Sequence, residues 1–184
     1  RISAPAKDPH PRLVSFSGVI GVQKDPALFN ELALAFADQP FCWIGDGPLR
    51  DRLGARNIRV TGWADGAAVN AWLDKTRIYL SASAWEGLPF GALEAMNRSC
   101  ALLLRDVPGN RDLVLPGENG YVFGDKEEGI ARLKAMLEDP EKTEAMGKKS
   151  REIAERDYSV EKMGAGYRSI YAATMEGKEL EPWV

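Results

Sequence analysis

A chain of 184 residues is the right size for one domain and short for two. Hydrophobic residues make up 45% of it, enough to bury a real core, which sets it apart from disordered chains. The formal net charge of −3 argues against nucleic-acid binding, which favours a basic excess, so any anion site must be a local feature.

Leu13-Val14-Ser15-Phe16 reads as the first strand. Asp25-Pro26 then has the form of an N-cap followed by proline at the first helical position, opening a helix with Leu28, Phe29, Leu32 and Phe36 on one face. Further strands are predicted at Phe41–Ile44, Asn57–Thr61, Ile78–Leu80, Ala101–Leu104 and Tyr121–Phe123. Most are continuous apolar runs rather than alternating ones, as in parallel strands covered by helices on both faces. The alternation with helical patterns predicts an α/β fold, a doubly wound and mostly parallel sheet of about six strands with a helical C-terminal extension. After Phe123 the pattern is helical. Ile130, Leu133 and Leu137 form one stripe. Val160, Met163, Tyr167, Ile170 and Tyr171 form another, with Ser159 as its N-cap. This last stripe either packs on its own sheet or crosses to a neighbouring domain. One domain is therefore expected, with a core over residues 12–158 and a terminal helix over 159–175.

Cys42 and Cys100 lie in or beside apolar runs and carry neither a disulfide framework nor metal-ligand spacing, so a reducing, cytoplasmic setting is expected. No apolar run approaches the roughly 18 residues that span a bilayer, and no signal peptide is visible. His10, the only histidine, stands between two prolines ahead of the first strand and reads as a tail residue. The chain opens on Arg1 rather than Met, which suggests a piece of a longer protein.

In open parallel sheets ligands bind beyond the carboxyl ends of the strands. Three loops there are glycine-rich: Gly18–Gly21, Gly45–Pro48 and Glu86–Gly91. Glycine lets backbone N–H groups approach an anion closely. The third loop opens a helix near Pro89 or Phe90, whose unpaired N–H groups and dipole suit a diphosphate. Glu86 and Glu94 flank it. A carboxylate repels phosphate but accepts hydrogen bonds from a neutral diol, and a nucleotide sugar carries diols on either side of its diphosphate. Read without that ligand, Glu94 is an ordinary acid favoured near a helix start and Glu86 a solvated loop residue. Trp43 and Trp72 read as core; Trp63 and Trp85 are candidates for stacking on base or sugar.

The stretch from Ser83 to Met96, SAWEGLPFGALEAM, resembles the signature segment of glycosyltransferase family 4, whose members adopt the GT-B fold. Gly45-Asp46-Gly47-Pro48-Leu49, Asp106–Val114 and Gly117–Tyr121 resemble further landmarks of that family, in order, between about Leu13 and Tyr171. The resemblance implies the C-terminal donor-binding domain of a retaining glycosyltransferase. It implies that Glu86 meets the donor sugar at the reacting centre, that Glu94 holds the ribose, that amides from Leu88 to Gly91 hold the distal phosphate, and that Gly45, Gly87, Pro89 and Phe90 belong to the donor-binding surface. It further implies that Lys24, beside Gly18, binds phosphate, and that the base lies near Gly62 and Trp63. No metal or other cofactor is implied. Acceptor-binding groups would come from an N-terminal domain outside this chain, and any peripheral membrane association only through that domain. Two departures stand out. Val19 replaces an arginine that the family usually places after the first glycine, and Asn97-Arg98-Ser99-Cys100-Ala101 replaces a run of small residues, Gly and Pro. Arg98 and Arg105 are candidates to supply the missing charge. A module that kept the fold and lost the chemistry, and a nucleotide-sugar epimerase, are the rival readings.

Overall fold

The computed structural model describes residues 13–175. Six strands, β1 (Leu13–Ser17), β2 (Phe41–Ile44), β3 (Ile58–Val60), β4 (Thr76–Ser81), β5 (Ala101–Arg105) and β6 (Gly120–Phe123), form one sheet in the order β3-β2-β1-β4-β5-β6. Every pairing is parallel. The central strands are buried on both faces, which is why they read as unbroken apolar runs. The helices are α1 (Pro26–Leu34), α2 (Gly66–Leu73), α3 (Phe90–Asn97), α4 (Lys126–Glu138), α5 (Pro140–Asp157) and α6 (Val160–Met175). α1 packs with α4, while α3 packs with α2 and α5, so helices flank the sheet. This is a doubly wound, Rossmann-like architecture with a helical extension.

One side of the core is an aromatic cluster. Trp43 stands edge-on to Phe16 and Phe29, with ring centroids 4.7 and 5.1 Å apart, in the geometry that aromatic quadrupoles favour. The thiols of Cys42 and Cys100 are buried in the core, and desolvation pushes the Cys42 thiol up to about 12.

Local expectation and structure part at three places, and the choice left open for the last helix is narrowed. β3 spans only Ile58–Val60 rather than Asn57–Thr61. Asn57 instead turns its amide on the carbonyls of Ala33, Phe36 and Gln39, at 2.9 to 3.0 Å, tying off the end of α1. Phe36 consequently lies beyond α1, though it still packs on the core. Trp72 is half-buried rather than core, its ring contacted by the Arg59 and Lys75 cations at 4.7 and 5.1 Å from its centroid. α6 buries no residue: Val160, Met163, Tyr167 and Tyr171 are all exposed, so its stripe does not pack on its own sheet. Ser159 does cap that helix, accepting from the Lys162 amide at 3.2 Å. No helix among the described residues is long and apolar enough to cross a membrane. His10 lies outside the described residues.

Candidate functional site

The strand order reverses direction at β1, which lies between β2 and β4. Chains leaving the carboxyl ends of β1 and β4 turn to opposite faces there, and a crevice opens between them. That crevice is a hollow of about 480 Å³, a size suited to a small ligand. Its walls include Gly18, Val19 and Lys24 after β1, Trp63 and Val69 after β3, and Glu86, Leu88, Pro89, Phe90, Gly91 and Glu94 around the start of α3.

The start of α3 differs from every other α-helix start among the described residues. α1, α2, α4 and α5 begin on aspartates whose carboxylates accept from a first-turn amide, and α6 begins on Ser159 in the same way. α3 begins on Pro89, whose side chain accepts nothing. The amides of Leu88, Phe90 and Gly91 therefore have no acceptor among the described residues, and all three residues line the hollow. Pro89 has no N–H to add. Such a helix start attracts an anion through both its orphan donors and the helix dipole.

Packing beneath this corner places it. A Cβ on Gly91 would stand 2.5 Å from the Tyr79 hydroxyl and 2.6 Å from Ser17 Oγ, so only glycine lets α3 sit this close to the strand ends. Those two hydroxyls are 3.0 Å apart, and burial holds the Tyr79 hydroxyl well above the ordinary tyrosine range, so it stays protonated. From the next loop, Gly109 at φ +81° backs directly onto the Glu86–Gly87 backbone; a Cβ there would lie 2.1 Å from the Gly87 carbonyl oxygen.

The charged groups of the hollow are one ammonium and two carboxylates, Lys24, Glu86 and Glu94. Lys24 Nζ is ion-paired with Glu86 Oε1, and the Glu86 side chain is only 7% exposed. Gln23 donates from Nε2 to the Trp85 carbonyl at 3.0 Å and approaches the other Glu86 oxygen at 3.4 Å. The next residue in the chain aims Lys24. Asp25 adopts a left-handed conformation at φ 45°, caps α1, and is held by Arg105 at 3.0 Å. Glu94, in the second turn of α3, has no side-chain partner among the described residues. It is open to solvent on one side, yet the desolvating walls raise its carboxyl above the ordinary glutamate range.

Gly18, Lys24, Trp63, Glu86, Leu88, Pro89, Phe90, Gly91 and Glu94 thus share one hollow, whereas Gly45 and Gly87 lie outside its lining. The glycines of the second loop serve loop-to-loop contact instead. A Cβ on Gly45, at φ +143°, would meet the Gly18 carbonyl oxygen at 2.2 Å. The amides are also taken: Gly45 N–H by Thr61 Oγ1, Gly47 N–H by Asp46 Oδ1, and Gly18 N–H by the Ile44 carbonyl. The proposed substitutes for the family arginine do not reach the hollow. Arg98 pairs with Asp74 and Arg105 with Asp25, leaving Val19, half-exposed, in the lining. Trp85 is exposed outside the lining. Ser17, Gln23 and Val69 also line the hollow, and local sequence did not signal them.

Comparison with known proteins agrees with this architecture. The sequence pattern of a family described as "Glycosyl transferases group 1" matches residues 5–153. Sulfoquinovosyl transferase SQD2 of Arabidopsis thaliana is 27% identical over 165 residues, which cover 85% of this chain and 32% of that protein. TarM of S. aureus, solved with UDP among its ligands, superposes with a TM-score of 0.83 at 19% identity, covering 91% of this chain and 37% of that one. Anabaena HepE in complex with UDP superposes with a TM-score of 0.80 at 17% identity, covering 89% and 49%. The chain therefore spans about a third of the length of the first of these relatives. With the family pattern extending over most of its length, from before β1 into α5, the chain belongs to the glycosyl transferases group 1 family.

Proposed function

We propose that this chain is the donor-binding domain of a retaining glycosyltransferase of family 4 type, which takes a sugar from a nucleoside diphosphate. The observation that carries this reading is the uncapped start of α3, whose residues with orphan amides line a hollow shared with Lys24, Glu86 and Glu94. In this reading the distal phosphate sits on the Leu88, Phe90 and Gly91 amides and is approached by Lys24. These fixed donors stabilise the charge that builds on the diphosphate as the sugar leaves. Glu94 accepts from the ribose hydroxyls and Glu86 from hydroxyls of the transferred sugar. Trp63, 73% exposed at the far wall, offers a face for the base. HepE and TarM, similar in fold, were solved in complex with UDP, which supports a nucleotide ligand for this chain.

The uncovered apolar face of α6 is assigned to contact with a further domain of the longer protein, which would bring the acceptor. Closure of that domain over the hollow would exclude water from the transfer. Calorimetry of the chain with UDP, GDP, ADP and their sugar conjugates tests the reading. Binding of at least one at or below millimolar concentration is expected, and Lys24→Ala should weaken it about tenfold or more. Absence of binding to all of them would sink the assignment.

One observation favours a second reading, a nucleotide-binding module without transfer. Val19 stands in the hollow where a second cation would strengthen the grip on a diphosphate, and the one lysine present is already paired. Sugar transfer by the longer protein to any acceptor would dismiss this alternative.

A further inference from the structure

The Lys24–Glu86 pair sets two roles of the hollow against each other. Among the described residues, Lys24 is the only cationic side chain in its lining, and it is held by Glu86. Arg105, at the end of β5, is committed to Asp25 and the Ala82 carbonyl, and Arg98 pairs with Asp74 at the opposite end of the strands. Any diphosphate that recruits Lys24 must therefore draw it from Glu86. The Glu86 carboxylate is almost wholly enclosed, and Gln23 at 3.4 Å is its one remaining donor among the described residues. An enclosed carboxylate stripped of its cation is strongly unfavourable unless new donors reach it. A bare nucleoside diphosphate offers phosphate oxygens, which only accept at neutral pH. A nucleoside diphosphate that carries a sugar offers hydroxyl donors beyond its distal phosphate, where Glu86 stands.

We propose that the Lys24–Glu86 ion pair is an exchangeable clasp that makes the hollow prefer a sugar-carrying nucleoside diphosphate to the same diphosphate without its sugar. This rests on the donor-binding reading above. With the sugar present, Lys24 moves to phosphate and Glu86 to hydroxyls, and both charges stay paired. Once the sugar has gone, Glu86 regains Lys24 at the expense of the phosphate, and the by-product is expelled. Val19 sharpens the effect, because no second cation can hold the phosphate while Lys24 returns.

The test is calorimetry of the chain, unaltered and as Glu86→Gln, with UDP against UDP-glucose, GDP against GDP-mannose and ADP against ADP-glucose. The unaltered chain should bind the sugar-carrying member of its preferred pair about tenfold more tightly than the bare one. Equal affinities overturn the clasp and can be read without any variant. Glu86→Gln frees Lys24, so it should bind the bare diphosphate about tenfold more tightly than the unaltered chain and lose the preference. Unchanged or weaker binding of the bare diphosphate by a folded Glu86→Gln protein overturns it. The same substitution in a Lys24→Gln background separates the clasp from simple repulsion: a clasp predicts no gain there, and an equal gain refutes it. If the unaltered chain and Glu86→Gln both bind no nucleotide, the donor-binding reading itself fails; if nucleotide binds without these differences, only the clasp does.

Discussion

The second and third glycine-rich loops of this domain have similar compositions and opposite uses. After β2, Gly45 and Gly47 press against the carbonyl groups of Gly18 and Ile20, and their amides are consumed within the protein. After β4, the corner at Glu86–Gly91 leaves its amides unspent and starts a helix without a capping side chain. The first arrangement builds a wall by locking two loops together. The second leaves a polar surface unfinished, and the free donors look for an anion from outside. Glycine content alone does not separate them; what separates them is where each amide finds its acceptor.

The contrast is open to direct attack. The largest effect should come from Gly45→Ala, which forces a Cβ to 2.2 Å from the Gly18 carbonyl oxygen at φ +143°. Urea unfolding should show a loss of about 3 kcal/mol. Gly87→Ala meets nothing within 4 Å and should fall within about 0.5 kcal/mol of the parent, so similar losses at the two positions would break the comparison. Gly91→Ala should come next. Its Cβ would crowd Tyr79 and Ser17, shifting the start of α3, and we expect about 1–3 kcal/mol of lost stability together with weaker nucleotide binding.

The smallest effect concerns Glu94. Its folded-state pKa lies above the ordinary glutamate value of 4.5. The folded protein therefore holds this proton more tightly than the unfolded chain does. The stability linked to it is present below 4.5 and is lost as pH rises through the folded value. Glu94→Gln should flatten that fall, making the variant slightly more stable than the parent at about pH 7 and no more stable at about pH 4. Urea midpoints at the two pH values check the sign, and a variant less stable near neutrality would show that Glu94 is held as a carboxylate by a favourable contact.

Much of this architecture was visible before folding was considered. Strands buried on both faces must be apolar at consecutive positions, so Phe41–Ile44 and Ala101–Leu104 announced themselves. Helix starts depend on one side chain and the next few amides, so Asp25-Pro26 and Ser159 could be recognised as caps from adjacent residues. Glu86 and Glu94 could be expected to share a hollow because a short loop and one helical turn separate them. The third strand was read one residue too long at each end, although the Asn57 carbonyl and the Thr61 amide still bond to β2. Asn57 was counted by its position in an apolar run, while its side chain is committed to the end of α1, a partner about twenty residues away.

Other features depend on contacts that no local window contains. The commitment of Gly45 to Gly18, of Arg105 to Asp25 and of Gly109 to the Glu86–Gly87 backbone each joins segments brought together only by the parallel crossovers. The pairing of Lys24 with Glu86 is of the same kind, and so is the bareness of α6, which is a matter of what surrounds it rather than of its own stripe. Apolar periodicity and capping chemistry are short-range, which is why residue order alone suffices for them. Which amide stays free and which charge is already neutralised depend on distances across the assembled sheet, and these exist only once the chain has folded.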